Sequence, residues 1–369
     1  MKNSPALPIL TEQQRDLLWP ALPFTDWQAT AASLHMWTQI VGKIRLSLTP
    51  WVNHSWHVTL YLTARGLTTS PIPHGYDAFE MRFDFIEHEL WILKSDGALR
   101  VLKLRPQSVA AFYREVMNAL DELQLPVQIN HLPNEIENPI PFEQDETHRT
   151  YDRAWANRFW RVLLQSDRVL KKFRSRFCGK CSPVHFFWGS FDLAVTRFSG
   201  RSAPPHPGGI PHLPDAITRE AYAQEVSSVG FWPGSAANPT PLYYSYAYPE
   251  PPGFSEAKVR PAEALYYAPL REFVLPYDAV RTATAPDEML RVLVMERFPL
   301  LETCRNGVVH GHLLAVEGHL PRDLRTHRAG TGVGDVGEGH RVSPCREGAL
   351  SAVESEAWQS PGRPEIESG

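Results

Sequence analysis

Apolar residues recur at helical spacing between about residue 27 and residue 48 and predict a helix there. Leu34, Trp37, Val41 and Ile44 form its buried stripe, and Pro50 ends it. The next ten residues, 56–65, alternate apolar and polar side chains, which predicts a strand with a repeat of two. The polar side of this strand carries His57, Thr59, Tyr61, Thr63 and Arg65.

The same two periodicities continue along the chain. In the first half they predict a strand at 79–85, a hairpin at 89–94 and 99–104, and a helix at 109–123. In the second half they predict a helix at 152–177, strands at 184–198, 223–232 and 241–248, and a helix at 261–273. Because the strands follow one another without intervening helices, we expect mainly antiparallel sheets and the α+β class.

One combination of motifs occurs twice. A predicted long strand is preceded by a tryptophan, Trp56 or Trp188, and is followed by a loop rich in proline, SPIPHG at 70–75 or SAPPHPGG at 202–209. We therefore predict two similar helix–antiparallel sheet–helix halves that arose by internal duplication. The predicted limits are a first half at 1–130, a proline-rich acidic linker at 131–150 and a second half at 151–298.

Composition narrows the class of protein. The chain is 43% hydrophobic and 21% charged, which is typical of a soluble globular protein. A net charge of −4 gives no argument for nucleic acid as the main partner. The sequence shows no run of 18 apolar residues, no secretory signal pattern and only four cysteines. We therefore expect a reduced cytoplasmic protein without a membrane partner and leave the oligomeric state open.

The segment 299–369 differs from the rest of the chain. Residues 1–298 hold 39 of the 40 aromatic residues, whereas residues 301–369 hold only Trp358, with seven arginines and no lysine. Such a segment buries too little apolar surface to offset the entropy of ordering, so we predict a disordered tail. Arginine and glycine without lysine is also what GC-rich DNA encodes out of frame, and a frameshift is the sharper hypothesis.

The polar faces of the two predicted long strands carry the residue types of a ligand pocket. Hydroxyl groups with His, Asp and Arg orient polar ligands within apolar walls, and arginine pairs with carboxylate or phosphate. The alternative interpretation is an ordinary exposed strand face. The candidate ligand-binding residues are His57, Tyr61 and Arg65 on the first strand and His185, Trp188, Ser190, Asp192 and Arg197 on the second.

The two proline-rich loops add one histidine each. His74 and His206 occupy matching places in the two copies, and histidine serves as an acid, a base or a metal ligand near neutral pH. The alternative is a stiff structural loop with a surface histidine. Because a single histidine without a spaced partner rarely binds metal, both are predicted as ligand-binding residues and no metal is predicted.

Two further motifs are weaker indications of function. Cys178 and Cys181 have the spacing of a metal or redox pair, but they lack a second pair and follow a helix. Residues 153–180 contain nine Lys or Arg and one acid, which favours either phosphate binding or a solvated face beside the acidic linker. We favour the solvated face, and the absence of nucleotide-binding motifs leads us to predict no cofactor.

Three long motifs are specific enough to compare with known families: LHMWTQIVGKIRLSLTPWVNHSWHVTLY (34–61), PIPFEQDE (139–146) and SPVHFFWGSFDLAVTRFSGR (182–201). In these motifs the chain resembles a family of uncharacterised bacterial proteins that is known only as a domain of unknown function, and the resemblance covers roughly residues 20–290. It implies no activity and gives no residue a role. The segment beyond Phe298 does not resemble the family.

The function is not determined by these patterns, and three hypotheses stay open. The first is binding of a small polar or anionic molecule in a cleft between the two halves. The second is a hydrolase-like enzyme with His57 or His185 as general base and Asp192 as its orienting group. The third is an interaction module that uses the basic helix at 153–180.

Overall fold

The computed structural model describes residues 10–295, which form seven helices and two six-stranded antiparallel sheets in one compact unit. The α+β class is therefore confirmed. No helix in this part of the chain has both the length and the apolar character needed to cross a membrane. The prediction for residues 299–369 lies outside the described residues.

The long helix near the N-terminus is the centre of the first half. α1 spans Glu12–Leu18, and α2 spans Phe24–Leu48, beginning three residues earlier than the predicted start at 27. α2 is buried on almost every side from Leu34 to Arg45 because α3, α4 and the first sheet pack around it. A helix in this position needs apolar residues beyond a single stripe.

The first sheet is a chain of short hairpins. Its strand order is β1-β2-β4-β5-β6, with β3 also paired to β4. The hairpin of β5 and β6 and the helix after it were predicted within one residue at most ends. The elements are β1 Tyr61–Leu62, β2 Gly66–Thr68, β3 Ile72–His74, β4 Asp77–Asp84, β5 Glu89–Lys94, β6 Leu99–Lys103 and α3 Val109–Glu122.

The second sheet has the strand order β11-β12-β10-β9-β8-β7. α4, Arg153–Ser175, packs on one of its faces, where Ser166 and Tyr243 share a hydrogen bond of 2.8 Å. The other elements are β7 His185–Phe187, β8 Asp192–Ser202, α5 Asp215–Ala221, β9 Gln224–Trp232, β10 Leu242–Tyr248, β11 Leu265–Tyr267, β12 Glu272–Pro276, α6 Tyr277–Thr282 and α7 Pro286–Met295.

Three predicted elements were wrong. The strand at 56–65 is mostly irregular, because the preceding turn places His54 and Ser55 at positive φ and pairing begins only near Leu60. The strand at 184–198 is a hairpin, turned at 188–191 with Phe191 at φ 60°. The helix at 261–273 is the start of the β11–β12 hairpin, because pairing with β10 outweighs local helical spacing.

The two halves share one hydrophobic core. Leu60 and Phe186 exchange backbone hydrogen bonds of 3.0 and 2.9 Å, which join the first sheet to β7. Trp27 of α2 packs on Phe159 of α4 with ring centroids 5.0 Å apart. α5 lies between two strands of the second sheet, whereas no helix interrupts the described strands of the first. The internal duplication and the predicted domain limits stay predictions.

The predicted linker, residues 131–150, is irregular in backbone but closely packed. Phe142 is fully buried, and Asp145 is 1% exposed. Asn134 exchanges two hydrogen bonds with the Gln39 side chain of α2, and its Nδ2 donates to the carbonyl of His212. The segment therefore lies between α2 and the long loop of the second half.

Candidate functional site

The second sheet has one face that does not contribute to the main core. Cross-strand pairs place His185 beside Ala194, Ala194 beside Gly230, and Gly230 beside Tyr244. Ala194 and Tyr244 belong to a small apolar cluster separate from the main core. Since side chains alternate along a strand, the same face carries His185, Phe187, Asp192, Thr196, Ser228, Trp232, Tyr244, Tyr246 and Glu272.

A long segment, residues 203–222, borders this face. The Tyr222 and Tyr246 hydroxyls are 2.7 Å apart, and the Tyr248 hydroxyl donates to the carbonyl of Pro204 at 2.9 Å. His206 stacks on the Tyr222 ring at 4.8 Å between centroids. These contacts bring a loop over one end of the sheet face, so its tyrosines are only partly reachable by solvent.

Residues 134–135 form a second border. The Glu135 amide donates to the carbonyl of Pro211 at 2.9 Å, which ties the segment to the loop of the second half. The Glu135 carboxylate lies against Gly189, where an added Cβ would come 2.0 Å from Oε1. Glycine at 189 therefore allows the carboxylate to approach the turn that precedes Asp192. We call the sheet residues Asp192, Tyr244, Tyr246 and Glu272, together with Glu135 and Tyr222, the tyrosine–carboxylate face.

Asp192 is the central carboxylate. It is 8% exposed, and it accepts hydrogen bonds from the Ser190 and Tyr244 hydroxyls. Tyr244 reaches it across β9 because Gly230 has no side chain; an added Cβ there would lie 2.3 Å from the Tyr244 ring. Burial raises the pKa of Asp192, while these two hydrogen bonds act in the opposite direction.

Glu135 and Glu272 are two further carboxylates of this face. Burial raises the pKa of each to about 7, and the negative charge of Asp192 adds to the increase. Within residues 10–295, no side chain hydrogen-bonds or forms an ion pair with the carboxylate of either glutamate. Two half-buried acids near their titration point thus flank a buried one.

The tyrosines supply hydroxyl donors and aromatic rings. Burial raises the pKa of Tyr222, Tyr244 and Tyr246, so all three are protonated at neutral pH. Tyr244 and Tyr246 stack with centroids 6.1 Å apart, and Tyr222 meets Tyr248 edge to face at 5.1 Å. The face therefore combines carboxylate acceptors with aromatic surface.

His185 is a fully buried imidazole on the same face. Its Nε2 lies 3.4 Å from the Tyr61 hydroxyl, and its Nδ1 has no hydrogen-bond partner among the described residues. Burial lowers the pKa of His185 to about 3, and the positive charges of Arg45 and Arg174 contribute. The ring is therefore neutral and presents a polar atom without a partner.

The structure places His57, Arg65 and Arg197 away from this face. The His57 ring packs on Trp51 at 4.6 Å and bonds the backbone of Val52. Arg65 forms an ion pair with Asp84 on the first sheet.

Arg197 lies on the opposite face of β8 from Asp192, because side chains alternate between the two faces of a strand and these residues are five positions apart. Its guanidinium stacks 3.3 Å from the Phe173 ring centroid and donates to the Phe173 carbonyl on α4. His57 and Arg197 therefore contact different parts of the protein and do not contribute to one site.

Trp188 and His74 are not part of the tyrosine–carboxylate face. The Trp188 indole lies flat over Gly42 of α2, where an added Cβ would come 2.3 Å from the ring. Its Nε1 donates to the carbonyl of Val58 at 2.7 Å, so this side chain joins the two halves. His74 ends β3 on the first sheet and is half-buried.

Four of the predicted residues lie at or beside the tyrosine–carboxylate face: His185, Ser190, Asp192 and His206. From the first predicted strand, Tyr61 reaches His185. Sequence analysis missed Glu135, Glu272 and the tyrosines. Glu135 lay in the predicted linker and Glu272 in the predicted helix, so neither was considered for a site. The alternating tyrosines at 243–248 were the one signal in the sequence for this face.

The remaining motifs stay without a site. Cys178 is exposed and Cys181 half-buried, both are free thiols, and burial raises the pKa of Cys181. In the part of the chain that the structure describes, no three His, Cys, Asp or Glu residues are grouped to hold a metal ion. On α4, Arg168 pairs with Asp287 and Lys171 with Asp167.

Comparison with known proteins gives a family but no activity. No curated protein and no solved structure shows significant similarity to this chain. A family model described as a family of unknown function (DUF5996) matches residues 19–299, which include both sheets and every residue of the tyrosine–carboxylate face. The chain therefore belongs to this family of unknown function, DUF5996.

Proposed function

We propose that the protein binds a small polar molecule on the tyrosine–carboxylate face. The observation that carries this proposal is a pair of half-buried carboxylates without a cation beside them, Glu135 and Glu272, at a sheet face outside the main core. The buried Nδ1 of His185, on the same face, also has no partner among the described residues. Partly burying a charge without pairing it is costly, and a bound ligand that supplies the missing partners removes that cost.

The position of the face supports a binding site. Residues 134–135 come from the segment held by α2, and Tyr222 comes from the long loop of the second half. A ligand on the sheet would therefore contact elements anchored in both halves. Few polar groups converging within aromatic walls are typical of small-molecule sites.

A thermal-shift screen of the full chain against small molecules of mixed charge tests this function. A ligand that binds only the folded state raises the melting temperature. We expect hits whose shift is lost in Tyr222→Phe/Tyr246→Phe, which removes the facing hydroxyls but keeps the rings. The matched control is Tyr76→Phe, since Tyr76 is fully exposed. A screen without hits, or hits that the double variant still binds equally, would contradict the proposal.

Acid–base catalysis is the second candidate, and the pKa of about 7 for Glu135 and Glu272 favours it. The hydrolase hypothesis with His185 and Asp192 as a pair gains no support, since His185 contacts Tyr61 and Asp192 contacts Ser190 and Tyr244.

Turnover of generic ester or phosphate substrates that is abolished in Glu272→Gln would establish the catalytic candidate. Turnover that is equal in wild type and Glu272→Gln, or no turnover at all, would remove it. No specific observation favours the interaction hypothesis for residues 153–180, where Arg168, Lys171 and Lys172 form ion pairs with Asp167 and Asp287.

A further inference from the structure

We infer that the ligand of the tyrosine–carboxylate face is an organic cation, with a protonated amine held by the carboxylates and an apolar body against the tyrosines. This inference rests on the proposed function and specifies the class of molecule that is bound. It departs from the sequence-based expectation of a polar or anionic ligand, in which arginines would have supplied the charge.

The charges of the face are the first argument. The charge of Asp192 acts on Glu135 and on Glu272, yet no lysine or arginine within residues 10–295 forms an ion pair with any of the three. A hydrogen bond from an ammonium group to a carboxylate is roughly twice as strong as one between neutral groups. A positive ligand charge would thus relieve the repulsion between Asp192 and each glutamate.

The aromatic rings are a separate argument. Tyr244 and Tyr246 stack on the sheet, Tyr222 bonds the Tyr246 hydroxyl from above, and Trp232 and Phe187 are half-buried in the same apolar cluster. Rings in such an arrangement attract a cation through their faces and cover the carbon skeleton of an organic ligand. This combination suits an amine with an apolar body better than a compact, strongly hydrated ion.

A third observation is a buried polar atom without a partner on the same sheet face. His185 is fully buried on the same sheet face, and its Nδ1 has no partner in the described part of the chain. Its imidazole is neutral, so it adds a polar contact without adding positive charge. The two arginines predicted to hold an anion are engaged elsewhere, Arg65 with Asp84 and Arg197 with Phe173. Arg45, whose positive charge lowers the pKa of His185, donates to the backbone carbonyls of His57, Thr59 and Thr69.

Three probes of matched shape test the sign of the ligand charge: benzylamine, benzyl alcohol and benzoate, titrated calorimetrically into the full chain at pH 8. We expect benzylamine to bind at least about tenfold more tightly than the other two, the effect of about one favourable charge contact. Glu272→Gln and Glu135→Gln should each weaken benzylamine about tenfold. Glu263→Gln is the charge-matched control, because Glu263 is exposed, and it should bind like wild type.

The outcomes separate this inference from the proposed function. If benzyl alcohol or benzoate binds as tightly as benzylamine, the cation inference fails while small-molecule binding stands. If benzylamine does not bind, the inference also fails, and the library screen decides the function separately. If both glutamine variants fold, as judged by circular dichroism, and bind benzylamine like wild type, the amine lies elsewhere and the inference is overturned.

Discussion

The hydroxyl of Tyr244 donates a hydrogen bond to the Asp192 carboxylate across the whole width of β9. The contact is possible because Gly230, between them, leaves room for the tyrosine ring. It fixes a buried acid at the centre of the sheet face, and it orients the ring that borders the proposed ligand. One backbone position without a side chain thus connects the packing of the sheet to the chemistry of the site.

Tyr244→Phe should destabilise the protein by about 1–3 kcal/mol, because it leaves a buried carboxyl group with only the Ser190 hydroxyl as partner. Tyr248→Phe, on the same strand, should cost less than about 1 kcal/mol, since its hydroxyl bonds a loop carbonyl near solvent. Urea unfolding at pH 7 measures both values. An equal loss of unfolding free energy in the two variants would show that the hydrogen bond to Asp192 stabilises the protein no more than the exposed one does.

Glu272→Gln should stabilise the unliganded protein at pH 8 by about 2 kcal/mol and have little effect near pH 4.5. The pKa of Glu272 is raised in the folded state to about 7, so the folded protein binds more protons than the unfolded chain between those pH values. Stability contributed by this group is therefore lost as pH rises toward 7. Melting temperatures across this range test the sign, with Glu263→Gln expected to follow wild type.

Benzylamine affinity should rise by about tenfold or more between pH 6 and pH 8. The cause is ionisation of Glu135 and Glu272, whose pKa of about 7 leaves them mostly protonated at pH 6. Calorimetry in two buffers of different ionisation enthalpy should also show proton release on binding at pH 7. Affinity that is flat across this range would mean that neither glutamate contacts the amine.

Asn134→Ala should destabilise the protein by about 2 kcal/mol or more, because Asn134 Oδ1 accepts a hydrogen bond from the buried Lys43 ammonium. Burial lowers the pKa of Lys43 to about 8, so the deficit should shrink as pH rises from 7 toward 10. Lys43→Met removes the buried charge. In a double-mutant cycle, the Asn134→Ala loss should be at least about 1 kcal/mol smaller in that background; strict additivity would contradict the contact.

Arg197→Ala should lower stability by about 1–3 kcal/mol and leave benzylamine affinity unchanged. Its guanidinium packs on Phe173 and bonds the backbone of α4, on the side of β8 opposite Asp192. Chemical unfolding and calorimetry on the same variant separate the two effects. If the variant folds but no longer binds benzylamine, Arg197 takes part in ligand binding, as the sequence analysis predicted.

The sequence by itself determined the elements whose pattern is local. The apolar stripe of α4, the Asp-Gly turn between β5 and β6, and the alternation along β9 and β10 each gave nearly correct limits. The order of these elements gave the α+β class, because strands that follow one another directly must pair antiparallel. These features follow from the spacing of apolar residues within each segment, which does not depend on the rest of the chain.

Tertiary structure decided the rest of the site. The segment 184–198 alternates like one strand, yet Trp188 packs on Gly42 of a distant helix and the chain turns there, which puts His185 and Asp192 on the same face of the sheet. Glu135 and Glu272 come from segments without a strand pattern of their own, so their approach to Asp192 depends on packing between parts of the chain far apart in sequence. Contacts between distant parts of the chain set both the position and the pKa of these acids. The local spacing of apolar residues determines neither.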